Sequence, residues 1–392
     1  MKFVRNWGRL GMKYNLSSLC EYRKGKVSVD GLNKDTYIST ENMLPNKGGV
    51  VQATSLPTTP QTQEYKKGDV LVSNIRPYFK KIWQAKYDGG CSNDVLVFKA
   101  NASTEMDFLY YVLADDAFFN YSMATSKGTK MPRGDKTSIM QYEVPNYDIS
   151  TQKMISSILR SLDEKIELNN KINNNLLEQA LTLYATYFAE SKKNGCIGDY
   201  CSIKSGFAFK SSWWTDNGVK VIKIGSINQD NLNLLECSYV DEDKIEKAKD
   251  FKVGAGDLLI AMTGATIGKF AMVPYCSETL LVNQRVGKFF LGNNPVERLP
   301  FIYCTLKQPD VYYEIVNRGQ GSAQPNISAA DIMSIPCVIP TDEDLNIFND
   351  NVRPLFELII SNQQENQRLS ELRDCLLPKL MSGELDVSNI EI

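Results

Sequence analysis

Two long segments of the chain carry apolar residues at alternating steps of three and four, the spacing of helices that pack along their length. The first seam consists of Ile155, Leu159, Leu162, Ile166, Asn169, Asn173, Leu176, Ala180, Leu183 and Tyr187. The second, 193 residues later, consists of Phe348, Val352, Leu355, Ile359, Asn362, Asn366, Leu369, Arg373 and Leu376. At a rise of about 1.5 Å per residue, a helix of about 35 to 40 residues spans on the order of 50 to 60 Å. Two globular units held at such a separation would suit two sites on one long ligand.

Asparagine interrupts both seams at the same two steps, as Asn169 and Asn173 in the first and as Asn362 and Asn366 in the second. A buried asparagine lowers stability but fixes register, because only one alignment gives each amide a partner. We therefore expect the two helices to pack antiparallel, with these asparagines meeting near a pseudo-two-fold axis. Replacing all four with leucine should then loosen the register. The alternative is that they lie on a solvated face.

Short β-branched runs punctuated by glycine precede a helical pattern, once before each seam. The predicted strands lie in residues 69–76, 80–87 and 94–100, and again in 219–227, 257–264 and 267–274. Phe108 to about Tyr121 and Phe301 to about Val316 are predicted helices with aromatic residues on one face. Each globular unit is therefore predicted to be α+β.

The two halves match one another in order along the chain. Cys20 and Gly25 match Cys201 and Gly206 at a separation of 181 residues, and Gly68-Asp69 matches Gly256-Asp257 at 188. From FLYYVL and FIYCTL onward, the separation holds at 193. Because the separation only rises, we infer two copies of one domain with a few extra loop residues in the second.

This repeat gives a predicted architecture. Two tandem, structurally similar recognition domains, at residues 1–148 and 193–340, are separated by two long antiparallel coiled-coil helices related by a pseudo-two-fold repeat. The helices are assigned to residues 149–192 and, with the C-terminal tail, to 341–392. A length of 392 residues suits two hydrophobic cores rather than one.

Composition excludes several classes of protein. The sequence contains no histidine, which removes Ser-His-Asp and Cys-His centres and most zinc hydrolase sites. The nine cysteines are scattered and never form CxxC, so we expect reduced, mostly buried thiols and no bound metal. No apolar stretch approaches the roughly 20 residues that cross a bilayer, and no signal-peptide pattern opens the chain, which favours a cytoplasmic protein without membrane contact. With a net charge of −2, any DNA-binding surface must be a local basic face.

Two equivalent glycine-containing segments are the first candidates for such a face. They are GTKMPRGD, residues 128–135, and GSAQPNIS, residues 321–328, in which Asp135 and Ser328 align as predicted helix N-caps. Their differing polar residues suit phosphate or base-edge contacts. In TGATIGK, Thr263 to Lys269, only three residues separate the first glycine from the Gly-Lys pair, so we predict a tight turn between strands rather than a phosphate-binding loop.

The candidate DNA-binding residues are long polar side chains, each of which could equally belong to an ordinary solvated face. In the first copy they are Asn74, Arg76, Tyr78, Lys80, Lys81, Lys127, Lys130 and Arg133. In the second they are Lys204, Lys210, Thr263, Lys269, Gln284, Arg285, Arg318, Gln320 and Gln324. Trp213-Trp214 could stack on DNA, although core packing is the favoured role.

GDLLIAMTGATIGK, RGQGSAQPNIS and the C-terminal LLPKLMSGELDV, set in this duplicated frame, resemble the DNA-specificity subunits of type I restriction-modification systems. The resemblance covers almost the whole chain from about residue 14. It implies that each unit recognises one half of a bipartite, asymmetric, gapped site in double-stranded DNA. The chain departs from the family in its recognition surfaces, above all in the first copy, where residues 55–68 have no counterpart that we can match. This departure leaves the recognised bases unassigned.

The resemblance also implies partners. The helices would space the two units and dock two modification subunits, which methylate adenine with S-adenosylmethionine, and restriction subunits that use ATP and Mg²⁺ can join. The chain itself would carry no catalytic centre and no cofactor. Two alternatives remain at this point: a self-contained DNA methyltransferase, tested by S-adenosylmethionine binding to the chain alone, and a coiled-coil scaffold that binds protein or sugar, tested by salt-sensitive DNA affinity.

Overall fold

The computed structural model describes residues 13–128, 130–320 and 325–387. They form two units, the first made of residues up to 164 together with those from 370 onward, and the second made of residues 165–369. Each long helix contributes residues to both units.

The first unit consists of short strands, three short helices and helix segments. The strands are β1 Lys13–Asn15, β2 Cys20–Tyr22, β3 Lys26–Ser28, β4 Tyr37–Ile38, β5 Gln61–Tyr65, β6 Val70–Ser73, β7 Ile82–Gln84, β8 Gly89–Cys91, β9 Val95–Ala100 and β10 Glu143–Pro145. The helices are α1 Met106–Ala114, α2 Asp116–Ala124, α3 Lys136–Ile139 and the long α4 Ile149–Phe188. An antiparallel sheet has the order β2-β9-β6-β7, a second sheet has the order β3-β5-β8-β4, and β1 pairs with β10. In the second sheet only β4 and β8 run parallel.

In the part of the chain that the structure describes, the second unit contains most of the same elements, without a strand equivalent to β3 and with additions. Its strands are β11 Gly195–Cys196, β12 Ser202–Ser205, β13 Trp214–Thr215, β14 Val219–Ile222, β15 Ile227–Asn228, β16 Asn231–Leu232, β17 Ser238–Val240, β18 Lys252–Val253, β19 Leu258–Ala261, β20 Phe270–Met272, β21 Leu280–Val282, β22 Val286–Phe290 and β23 Pro336–Cys337. Its helices are α5 Ile197–Tyr200, α6 Pro295–Leu306, α7 Pro309–Gly319, α8 Ala329–Met333 and the long α9 Asp342–Ser382.

The sheets confirm the internal repeat strand by strand. The order β12-β22-β19-β20 repeats β2-β9-β6-β7, and β11-β23 repeats β1-β10. The parallel pair of β4 and β8 recurs as β14 and β21 in the sheet β13-β17-β14-β21-β18. The additions β13, β15, β16 and β17 lie between Gly206 and Gly256, where the sequence separation rises from 181 to 188, as expected for extra loop residues in the second copy.

The central strands are apolar on both faces, which explains their continuous hydrophobic runs. In β6, Val70 and Val72 pack in a core with helices α1 and α2, whereas Leu71 packs in a core with Trp83 on the opposite face. The runs that the sequence analysis assigned to strands are therefore strands buried on both sides.

Each predicted aromatic helix is in fact two helices. In the first unit the break falls at Asp115, whose backbone is extended and whose carboxylate accepts a hydrogen bond from the Ala117 amide at 3.0 Å. In the second unit Gln308 is extended and Pro309 begins the next helix. A proline disfavours helical geometry in the residue before it, and an aspartate that caps a new helix has the same outcome. The aromatic residues continue at helical spacing across both breaks, so the sequence pattern did not reveal them.

The two long helices pack antiparallel, as predicted. Within the second unit, Asn169 Nδ2 donates to Asn366 Oδ1 at 2.9 Å and Asn362 Nδ2 donates to Asn173 Oδ1 at 2.8 Å. Asn169 is 1% exposed and the other three asparagines are half-buried. They therefore lie between the helices and not on a solvated face, while their role in fixing the register remains a prediction.

Candidate nucleic-acid interface

In the first unit, the turn after β6 and the segment 127–135 are joined by their backbones. Arg76 N donates to Pro132 O at 2.9 Å, and Gly134 N donates to Asn74 O at 3.3 Å. We call the turn 74–81 together with the segment 127–135 the first candidate surface. It brings predicted residues from two distant parts of the sequence into one place.

The second unit repeats this arrangement at the positions that the sequence alignment predicts. Gly264 N donates to Pro325 O at 2.9 Å, and Ile327 N donates to Met262 O at 2.9 Å. We call the turn 262–269 together with residues 318–320 and 325–327 the second candidate surface. Met262 N also donates to Arg285 O at 3.0 Å, which joins the Gln284-Arg285 turn to this surface.

A helix cap supports each surface. The Asp135 carboxylate accepts from Ser138 N at 2.9 Å, and Ser328 Oγ accepts from Asp331 N at 3.1 Å. The two residues are therefore the N-caps that the sequence predicted. The Lys127 ammonium, 2.6 Å from the Asp135 carboxylate, and the Ser138 amide lower the pKa of Asp135 to about 2. This carboxylate is thus an anion at the edge of the first candidate surface.

The turn of the first surface has left-handed backbone at both ends. Arg76 has a φ of 50° and Lys80 a φ of 49°. The equivalent residues of the second surface are Gly264 and Gly268, with φ values of 71° and 83°. The two turns share one backbone form, but only the first turn places side chains at these two positions.

A neighbouring loop braces the first turn. Asn46 N donates to Phe79 O at 2.8 Å and Lys47 N donates to Lys80 O at 2.9 Å. Lys47 and Lys80 both reach the Asp116 carboxylate, at 3.1 Å and 2.7 Å. Sequence reasoning missed this loop: the PNKGG pattern at residues 45–49 predicts a turn, but nothing in it indicates contact with residues more than 30 positions away.

The predicted residues of the first unit divide into exposed and engaged side chains. Arg76, Tyr78 and Lys130 are exposed, with Tyr78 at 48%. Lys127 and Arg133 are also exposed but contact Asp135 and, at 3.3 Å, Asp94.

Two further candidates point inward. Asn74 is only 8% exposed, so the structure does not place it at the surface as predicted. Lys81 Nζ donates to Thr40 O at 2.6 Å, and desolvation lowers the pKa of Lys81. Their polar side chains gave no sign of this burial in the sequence. Two exposed apolar neighbours, Phe79 and Met131, were not among the predicted residues.

The predicted residues of the second unit that the structure describes are spread over four segments. Those exposed are Lys204, Lys210, Gln284, Arg285, Arg318 and Gln320. Gln284 N donates to Phe207 O at 3.0 Å, which places the loop after β12 beside the Gln284-Arg285 turn. Thr263 and Lys269 are half-buried in the turn between β19 and β20, so TGATIGK forms the predicted tight turn.

Arg318 is exposed, but its guanidinium is engaged by groups of its own unit. It contacts Glu314 at 3.1 Å and donates to Asp331 O at 3.0 Å and Ser334 Oγ at 2.7 Å. These contacts hold helix α7 against α8, which is a structural role that the sequence did not reveal. Gln324 lies outside the described residues.

The two tryptophans are half-buried and pack on the apolar cluster around Phe209. Trp213 stacks on Phe207 with a centroid distance of 6.1 Å. The Lys223 ammonium lies 3.6 Å from the centre of the Trp214 ring, and desolvation lowers the pKa of Lys223. Packing is therefore their observed role.

Two other features, a metal site and a membrane span, are absent from the described residues. Within residues 13–128, 130–320 and 325–387, no group of three or more acidic or cysteine side chains has the geometry to hold a metal ion. In the same ranges, no helix is both long enough and apolar enough to span a membrane.

The family of type I restriction modification DNA specificity domains matches the chain twice, at residues 11–178 and 190–372. The chain therefore belongs to this family, with one family domain in each copy of the repeat.

Relatives cover most of the chain. The specificity subunit of the type I restriction enzyme HindI of Haemophilus influenzae is 24% identical over 95% of this chain and 99% of its own length. That of the type I restriction enzyme MjaVIII of Methanocaldococcus jannaschii is 23% identical over 71% of this chain and 72% of its own. The crystal structure of the S subunit of a type I restriction-modification system from M. genitalium has a TM-score of 0.52, at 17% identity, and covers 97% of this chain and 98% of that one. This last likeness supports the shared fold.

Proposed function

We propose that this chain is the sequence-specific DNA-binding subunit of a type I restriction-modification system. Each unit reads one half of a bipartite, gapped site in double-stranded DNA. The half-sites differ, so the whole site is asymmetric. The chain performs no catalysis and holds no cofactor of its own.

One observation carries this proposal. The two candidate surfaces share their backbone hydrogen bonds, from Arg76 to Pro132 and from Gly264 to Pro325, yet they present different side chains. A shared frame positions both surfaces in the same way, and base edges are distinguished by side-chain chemistry. Two copies of one frame with different side chains therefore suit two different half-sites.

Family membership supports a proposal about partners. Two modification subunits dock on the chain and methylate adenine with S-adenosylmethionine that they themselves bind, and restriction subunits with ATP and Mg²⁺ can join them. The long helices α4 and α9 supply the spacing between half-sites and the docking surface.

The decisive experiment is methylome sequencing of a host that expresses the chain with its modification subunit. A host expressing the modification subunit alone is the control. A new gapped, asymmetric motif carrying N6-methyladenine is expected only with both proteins. Absence of any new motif, with both proteins expressed and associated, would refute the proposed function.

Direct binding supplies a second test. The exposed cations of the candidate surfaces should release counterions on contact with phosphates, so the logarithm of the affinity should fall linearly as the logarithm of the salt concentration rises. The purified chain with its modification subunits is titrated against duplex DNA between low and physiological salt. Affinity that is independent of salt would favour a scaffold that binds protein or sugar.

A further inference from the structure

The left-handed backbone at Arg76 is unfavourable for any residue with a Cβ atom. Its φ of 50° and ψ of 65° bring the side chain close to the following carbonyl, a strain that glycine avoids. Strained residues of this kind persist where surrounding structure holds them, and they concentrate at functional sites. Four of the five non-glycine residues with positive φ in the described chain belong to this turn or its bracing loop: Asn46, Lys47, Arg76 and Lys80.

The second unit shows that the turn itself needs no side chain at this position. Gly264 takes the place of Arg76, keeps a positive φ of 71°, and makes the same 2.9 Å bond to the equivalent proline carbonyl. Glycine is thus the unstrained solution for this backbone. The arginine in the first unit therefore has to be explained by its side chain.

The other strained cation of the turn has a structural explanation, and Arg76 does not. Lys80 contacts Asp116 at 2.7 Å and thereby ties the turn to the start of α2. The Arg76 side chain is exposed, and no hydrogen bond or ion pair joins it to the rest of the described chain. Tyr78, two residues further along, is exposed as well, and the turn is fixed by hydrogen bonds from two sides.

A free guanidinium on a rigid, strained turn is suited to planar, bidentate recognition. Arginine binds the O6 and N7 atoms of guanine with two parallel hydrogen bonds in the major groove, which is the commonest base-specific contact. Because the turn is held by the bond to Pro132 and by the Asn46-Lys47 loop, little conformational freedom of the backbone is lost when the contact forms. A loosely held surface arginine would lack this advantage.

We propose that Arg76 is a specificity-determining residue of the first unit and contacts a guanine in the half-site that this unit reads. The inference rests on the proposed function, since it requires that the first unit read DNA. It also implies that the second unit, with glycine at the same place, lacks the corresponding base contact.

The test compares three variants in complex with the modification subunits. Arg76→Gly adopts the residue that the second unit already uses at this backbone, so the fold is kept. Arg76→Lys keeps the charge but loses the bidentate geometry. Lys67→Gly removes an exposed cation from the turn before β6, at the opposite end of the same strand, and serves as the charge-matched control.

Wild-type complex first defines the methylated motif, and binding is then measured to duplexes changed at each base pair of that motif. We expect Arg76→Gly and Arg76→Lys to lose about 5- to 150-fold of discrimination at a single G·C pair of one half-site. The other half-site should be unchanged, and Lys67→Gly should match wild type.

The outcomes separate the two proposals. If wild-type complex yields no motif, the proposed function fails. If wild type yields a gapped motif but Arg76→Gly keeps full discrimination, or weakens binding equally for all sequences as loss of a phosphate contact would, the proposal for Arg76 is overturned while the function stands. Equal losses in Arg76→Gly and Lys67→Gly would also overturn it.

Discussion

Asn169 offers a quantitative test of how the two long helices recognise one another. Its side chain is 1% exposed, and Nδ2 donates to Glu365 Oε2 at 2.7 Å and to Asn366 Oδ1 at 2.9 Å. The change Asn169→Ala removes both hydrogen bonds. It also replaces asparagine with a better helix former.

The amide pair contributes about 1 kcal/mol, the usual net value for a neutral hydrogen bond. A bond to a charged group can reach about 1.5 to 3 kcal/mol. Here it is discounted to about 1 kcal/mol, because Glu365 is 45% exposed and also lies 3.6 Å from Lys165. Alanine has a higher helix propensity than asparagine, which offsets about 0.5 kcal/mol of this loss. We therefore expect a net destabilisation of about 1.5 kcal/mol.

Asn174→Ala is the matched control, because Asn174 lies on the same helix but is exposed. It should gain the helix propensity alone, so the two variants should differ by about 2 kcal/mol. The free energy of unfolding is measured by urea denaturation, with hydrogen exchange of residues 165–188 as a local measure. A difference below about 0.5 kcal/mol, the usual spread of surface substitutions, would refute the reasoning.

Three further predictions test other features. Arg373→Met removes the cation 2.7 Å from the Asp163 carboxylate, and urea denaturation should show the first unit destabilised by about 1 to 3 kcal/mol. Asp163→Asn should be less harmful, because the side chain can still accept the hydrogen bond that the Tyr111 hydroxyl donates to Asp163. An effect of Arg373→Met below about 0.5 kcal/mol would contradict a structural ion pair. In Gly264→Ala the added Cβ atom meets no neighbouring atom, but the alanine must adopt a left-handed backbone. This change should destabilise the second unit by about 1 kcal/mol and lower its thermal midpoint of unfolding. A thermal midpoint equal to that of wild type would show that the turn relaxes. Alkylation of the native protein at pH 8, read by mass spectrometry, should modify the exposed Cys375. It should spare the buried thiols, because burial raises their pKa to about 11 or 12. Rapid labelling of those thiols would contradict the buried cores. Those thiols are Cys20, Cys91, Cys201, Cys237 and Cys337.

The repeat and the helix pair could be predicted because they depend on spacing. A constant separation of 193 residues and a seam with asparagine at matching steps are properties of residue order alone. The structure follows them closely: the same separations place Gly264 opposite Arg76 and Pro325 opposite Pro132 in equivalent hydrogen bonds. The predicted domain limits at residues 148 and 340 are a separate matter and remain a prediction.

The orientation of individual polar side chains could not be predicted in the same way. Asn74, Lys81 and Arg318 are residue types that are common on DNA-binding surfaces. Asn74 is buried, however, and Lys81 and Arg318 are engaged by groups distant in sequence. Lys81 donates to the Thr40 carbonyl, and Arg318 donates to the Asp331 carbonyl as well as contacting two side chains. Every residue possesses a backbone carbonyl, and no sequence pattern marks the one that will be used. Such contacts become visible only when the turn, the bracing loop and the adjoining helices are seen together.

A comparison between the copies recovers part of this missing information. Where both copies have glycine at a left-handed position, the backbone alone explains the residue, as with Gly68 and Gly256 at φ values of 90° and 80°. Where one copy has glycine and the other a strained side chain, as with Gly264 and Arg76, the backbone explains only the glycine. A left-handed residue with a Cβ atom costs roughly 1 to 2 kcal/mol, a sizeable share of the 5 to 15 kcal/mol that typically stabilises a domain. The first unit therefore gives up stability at a point where its surface differs from that of the second, as expected if that difference serves recognition.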